Sequence, residues 1–135
     1  MNKQQKNLQN VSRFSLIVLI TICITRLWSI SLFYIFGKNS QIIERIISDS
    51  WHHYQVGLAL VVVAFLLRKH RKIKFLLAIG LGIFLEEWPV FLSDVGLNTN
   101  HLYHTKLDFI SIVFLVGLVY ILSKTLYFNI NLKKI

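Results

Sequence analysis

A chain of 135 residues that is 55% hydrophobic, with a mean hydropathy of +0.59, is one domain at most and too apolar for an ordinary soluble one. Its net charge of +9 would suit nucleic acid, but most basic residues gather in three short segments beside apolar runs. Cytoplasmic loops of membrane proteins are charged in that way, so no nucleic-acid partner is expected. A single cysteine, Cys23, excludes an intrachain disulfide and CxxC redox chemistry.

The first apolar run covers residues 14–36 and is interrupted only by Arg26. Lys3, Lys6 and Arg13 before it imitate a signal peptide, but Arg26 stands where a cleavage site would fall, so the segment is expected to be retained. Gly37-Lys38-Asn39-Ser40 reads as a helix stop. Residues 41–50 carry apolar side chains at 42, 43, 46 and 47, the spacing of a short amphipathic helix on the outer surface. Such a helix would cap the bundle or wall an entrance for substrate.

The second run is too short to cross a bilayer unless its helix begins near residue 49 and carries Trp51, His52, His53 and Tyr54 in its outer turns. The third covers residues 73–92, with a kink expected at Pro89, which lacks a backbone donor. Residues 94–100 are turn-rich, and the fourth run covers 106–124. The pattern predicts an all-α integral membrane protein of the plasma membrane, with 1–135 as a single four-transmembrane-helix bundle. Its spans lie near 14–36, 49–67, 73–92 and 106–124.

Charge gives the direction. Glu44, Asp49, Glu86, Glu87, Asp94 and Asp108 lie toward one end of the bundle, while Arg13, the 68–74 loop, Lys124, Lys133 and Lys134 lie toward the other. N and C termini are therefore expected to be cytoplasmic. The basic loop is also expected to attract anionic membrane lipid.

Depth singles out a smaller group. At ~1.5 Å per residue from the basic anchor of its own helix, Arg26 lies about 20 Å away, His53 about 22 Å, Glu86 about 21 Å and Asp108 about 24 Å. In a hydrocarbon core ~30 Å thick these positions share one level in the outer third, with His104 one turn higher. A charged side chain near the bilayer centre costs roughly 2.5–3.5 kcal/mol, so such groups turn inward and pair. Arg26 requires a carboxylate, and Glu86 or Glu87 is its natural partner. One guanidinium does not neutralise Glu86, Glu87 and Asp108 together. Either a carboxyl is protonated or a cation is present, and a divalent cation would resolve the imbalance directly.

The sequence therefore points to a metal site for zinc, iron or manganese, with His52, His53, Glu86, Glu87, His104 and Asp108 as candidate ligands. His101, His104 and Asp108 are helically spaced, and Gly57, one turn below His53, would let a neighbour approach. Were the site catalytic, Glu86, Glu87 and Arg26 would do the work through metal-activated water on a lipid or small amphiphile. Arg26, Tyr103 and Trp88 would then contact the substrate. Each motif also has a structural reading: an interfacial His pair in an aromatic belt, an Arg–Glu salt bridge, and loop histidines. Three other functions fit the same residues. One is a proton- or cation-coupled carrier, expected to work as a homo-oligomer. Another is a haem held by His53 and His104, which the adjacent carboxylates disfavour. The last is a membrane subunit whose polar layer only specifies packing.

Overall fold

The computed structural model describes residues 3–37, 41, 52–70, 73–99, 102 and 106–132. Five helices form among them: α1 (Lys3–Phe36), α2 (His53–Leu66), α3 (Ile73–Glu86), α4 (Trp88–Asp94) and α5 (Lys106–Leu132). No strand occurs among the described residues. The expected amphipathic helix over 41–50 lies outside them, apart from Gln41.

α1 begins well before the apolar run, because its polar lead of Lys, Gln, Asn and Leu contains no glycine or proline to interrupt it. Its 34 residues extend about 51 Å, more than a hydrocarbon core requires. α5 likewise continues past residue 124 to Leu132. α1 and α5 are long and apolar enough to cross a membrane, and α3 with α4 makes a third candidate if the bent pair is one span. α2, at 14 residues, extends only about 21 Å. The expected start of its helix near residue 49 falls outside the described residues. Within them His52 is extended, with φ −101° and ψ 148°, so it precedes the helix rather than riding in its first turn.

The expected third span is broken. Its two parts are bent by 68° at Glu87, whose φ of −113° and ψ of 23° leave the helical region. Pro89 occupies the first turn of α4, where its missing N–H deprives no helical acceptor. Beyond α4 the chain reverses at Gly96, with φ +98°, a left-handed position that suits glycine after a helix end. The Leu97 amide then reaches back to the Leu92 carbonyl at 2.9 Å, and the Thr99 hydroxyl donates to the Pro89 carbonyl at 2.7 Å.

The helices pack in the order α2–α3–α1–α5, with the first and last at the edges. This is an open row among the described residues, not a closed square. Glycines set two of its seams. At α2–α3, a Cβ added to Gly57 would lie 2.6 Å from the Phe84 nitrogen, and one on Gly80 would lie 2.9 Å from the Gly57 oxygen. At α3–α1, a Cβ on Gly82 would lie 2.6 Å from the Thr21 Cβ. Small residues permit this backbone approach between apolar helices. Thr21, Thr25 and Ser29 return their hydroxyls to carbonyls four residues earlier, so α1 carries these polar groups without outside partners.

A core of Val18, Ile22, Ala78 and Ile112 joins α1, α3 and α5. Elsewhere the usual distribution is inverted. Glu86, Glu87 and Asp108 are buried, while Leu27, Trp28, Phe65, Phe114 and Leu115 are exposed. In water that would leave a large apolar surface unsatisfied; against lipid it is the expected arrangement.

Candidate functional site

All five helices deliver polar side chains to the acidic end, and these sort into two networks. The first centres on Arg26, two-thirds of the way along α1. Its Nε makes an ion pair with Glu86 Oε1 at 2.9 Å, and its Nη2 lies 3.8 Å from Asp108 Oδ2. Of the two carboxylates expected to hold Arg26, Glu86 is the one that does. The guanidinium face lies over the Phe109 ring, 5.1 Å from its centroid, a favourable cation–π position. Trp88 closes the network by donating its indole Nε1–H to Asp108 Oδ1 at 2.8 Å. The side chains of Glu86 and Asp108 are 0% and 1% exposed and that of Arg26 17%. This layer brings α1, α3, α4 and α5 together, by ion pairing at Arg26 and by the hydrogen bond from Trp88.

The second network centres on Glu87, at the bend. Its Oε1 lies 3.1 Å from His53 Nδ1; a carboxylate can only accept, so the proton in this contact belongs to the imidazole. Its Oε2 accepts the Tyr54 backbone N–H at 2.9 Å. That amide is at the start of α2, where the first N–H groups have no intrahelical acceptor, so Glu87 doubles as the cap of α2. Tyr54 engages the far end of α4 as well, with its hydroxyl donating to Asp94 Oδ2 at 2.5 Å. Glu87 and Asp94, on opposite ends of the short α4, are thus both fastened to one residue of α2.

The break separates the roles of Glu86 and Glu87. As neighbours in an uninterrupted helix they would point about 100° apart. With the chain leaving α3 at Glu87, Glu86 serves α1 and Glu87 serves α2. Of the His53–Glu87 pair His53 is the more exposed, its side chain 44% accessible against 7% for Glu87. Nδ1 faces the carboxylate, and Nε2 accepts no hydrogen bond among the described residues.

The remaining sequence candidates fall differently. His52 stacks on Tyr54, with centroids 5.8 Å apart, rather than joining His53 at Glu87. His104 and Tyr103 lie outside the described residues, as does His101. Among the described residues no group of three or more His, Cys, Asp or Glu side chains is arranged to hold a metal. Tyr54 and Phe109 belong to the same assembly although the sequence did not single them out. The seven-residue spacing of Glu87 and Asp94 was the available signal for Asp94. Comparison with family models, curated proteins and solved structures returns no match.

Proposed function

We propose that the protein is a small multi-pass membrane protein of four spans, with both termini cytoplasmic, that binds a divalent metal at the outer end of its helices through His53. The charge asymmetry along the helices supports the orientation. The glycine seam between α2 and α3 supports including α2 among the spans despite its length.

One observation carries the metal reading. Glu87 accepts from His53 Nδ1 and from the Tyr54 amide at once, so the imidazole is held from behind and Nε2 remains as its donor atom. Metal-ligating histidines are regularly oriented in this way by a carboxylate on the other ring nitrogen. Zinc, iron or manganese suits such a donor. His52 and, from the sequence, His104 are the further donors available. Glu86 and Asp108 serve as scaffold, because Arg26 already engages both. A metal at this place would polarise a water molecule at the membrane surface, where a lipid or small amphiphile is the accessible substrate.

The test is the metal content of protein purified in mild detergent. Near-stoichiometric metal is expected in the unaltered protein, with loss in His53→Ala and affinity lowered about 10–100-fold in Glu87→Gln. Folded protein that is metal-free and takes up no zinc, iron(II) or manganese when supplied would overturn this reading. A second reading, a proton- or cation-coupled carrier, is favoured by a separate observation: two almost fully buried carboxylates share one guanidinium. Proton-driven cation flux in liposomes, abolished by Glu86→Gln, distinguishes it.

A further inference from the structure

The opposite end of the α1–α5 pair holds a cleft of about 210 Å³ that the polar layer does not use. Gln9, Ser12, Arg13 and Leu16 line it from α1, and Tyr120, Lys124 and Tyr127 from α5. Their helical spacing places each set on one face, looking across the seam. The Lys124 ammonium donates to the Tyr120 hydroxyl at 3.1 Å and sits 5.5 Å from that ring's centroid. Neither Arg13 nor Lys124 has a carboxylate partner among the described residues. The described acids all belong to the other end, and Asp108, the only one on α5, stands about 24 Å along the helix from Lys124.

Arg13 and Lys124 are exposed cations on either side of a cleft whose lining is mostly apolar, an arrangement that suits an anion attached to a hydrocarbon. Leu16 and Ile20, one turn apart on α1 toward the centre of the helix, are exposed and prolong the cleft as an apolar track. Headgroup anion below and hydrocarbon above are the two halves of an amphiphile.

We propose that this cleft binds the phosphodiester headgroup of an anionic phospholipid from the leaflet at the basic end, with Arg13 and Lys124 on the phosphate and the acyl chains along Leu16 and Ile20. Basic pockets between helices at the cytoplasmic side are suited to this use. The site is independent of the metal reading.

Native mass spectrometry of the full chain in mild detergent tests it, using phosphatidylglycerol, phosphatidylcholine and inorganic phosphate as probes. One phosphatidylglycerol per chain is expected to be retained in preference to phosphatidylcholine. Arg13→Gln with Lys124→Gln should weaken it on the order of 25-fold, about fivefold for each cation. Arg13→Lys should retain it. Ser12→Trp, which fills the cleft but keeps both charges, should lose it, so the proposal survives any folding defect in the double variant. Arg68→Gln with Lys69→Gln, in the exposed basic loop, should leave it unchanged. Equal retention of both lipids, or equal weakening by the loop variant, would overturn the proposal. So would displacement of the lipid by millimolar phosphate, which would identify a free-phosphate site instead.

Discussion

Adding one methyl group to Gly57 tests how the site is supported. Its Cβ would lie 2.6 Å from the Phe84 nitrogen and 2.8 Å from the Gly80 oxygen, against the 3.4 Å at which ordinary contact begins. Both obstacles are backbone, so no rotamer change relieves them and α2 must move away from α3. Overpacking of this kind costs about 1–3 kcal/mol, partly offset by the gain of up to about 1 kcal/mol when alanine replaces glycine in a helix. Gly117→Ala supplies the reference, since a Cβ there meets nothing within 4 Å and the propensity gain is shared. The difference between the two variants, read from unfolding in mixed micelles by circular dichroism, should therefore be about 1–3 kcal/mol. His53 lies one turn above Gly57, so parting the helices also draws Nδ1 from 3.1 Å toward the limit of hydrogen bonding to Glu87. Metal retention should fall with stability in Gly57→Ala and stay unchanged in Gly117→Ala. Equal stabilities for the two would refute the close seam and the support it gives the site.

Glu86→Ala takes the nearer carboxylate from the mostly buried Arg26 and should lower stability by about 3–5 kcal/mol, while Arg26→Met combined with Glu86→Leu and Asp108→Asn, which leaves no unpaired charge in the layer, should recover most of the loss. The same micelle titration measures both, and a triple variant no better than Glu86→Ala would show that the layer does more than satisfy its own charges. Tyr54→Phe removes the hydroxyl from Asp94 and should cost about 0.5–1.5 kcal/mol. Amide hydrogen exchange should quicken over residues 88–94 without quickening in α1, because only α4 loses an anchor.

Periodicity and depth made the common level of Arg26, Glu86 and Asp108 legible, because each helix rises uniformly and its basic anchor marks a reference plane. Pro89 announced a kink, but its position does not give the break at Glu87. A proline disfavours the helix on its N-terminal side without dictating which of several residues yields. That choice decides which neighbour serves Arg26 and which serves His53, so the division between Glu86 and Glu87 was hidden. Tyr54 was hidden for another reason: half of its contribution is a backbone amide, which any residue there would supply. Gly57 signalled close approach, and only the fold makes Gly80 its partner. The open row of helices was also out of reach, since apolar runs facing lipid and apolar runs facing one another look alike in sequence.

Exposure separates the two networks by function. Arg26 is engaged along its edge by Glu86 and Asp108 and on its face by Phe109, which leaves little of it for a headgroup or a substrate carboxylate. Removing it would strand two carboxylates in an apolar surrounding, so its first duty is to make their burial tolerable. His53 is in the opposite position: fixed on one nitrogen, nearly half accessible, and mounted on the short edge helix rather than on the long spans. Among the described residues His53 is more accessible than the Arg26 layer. The closed layer allows that exposed histidine to be held at a defined place. Glu87, which touches both the break in the third segment and the start of α2, is the residue through which the rigid layer is coupled to the accessible one.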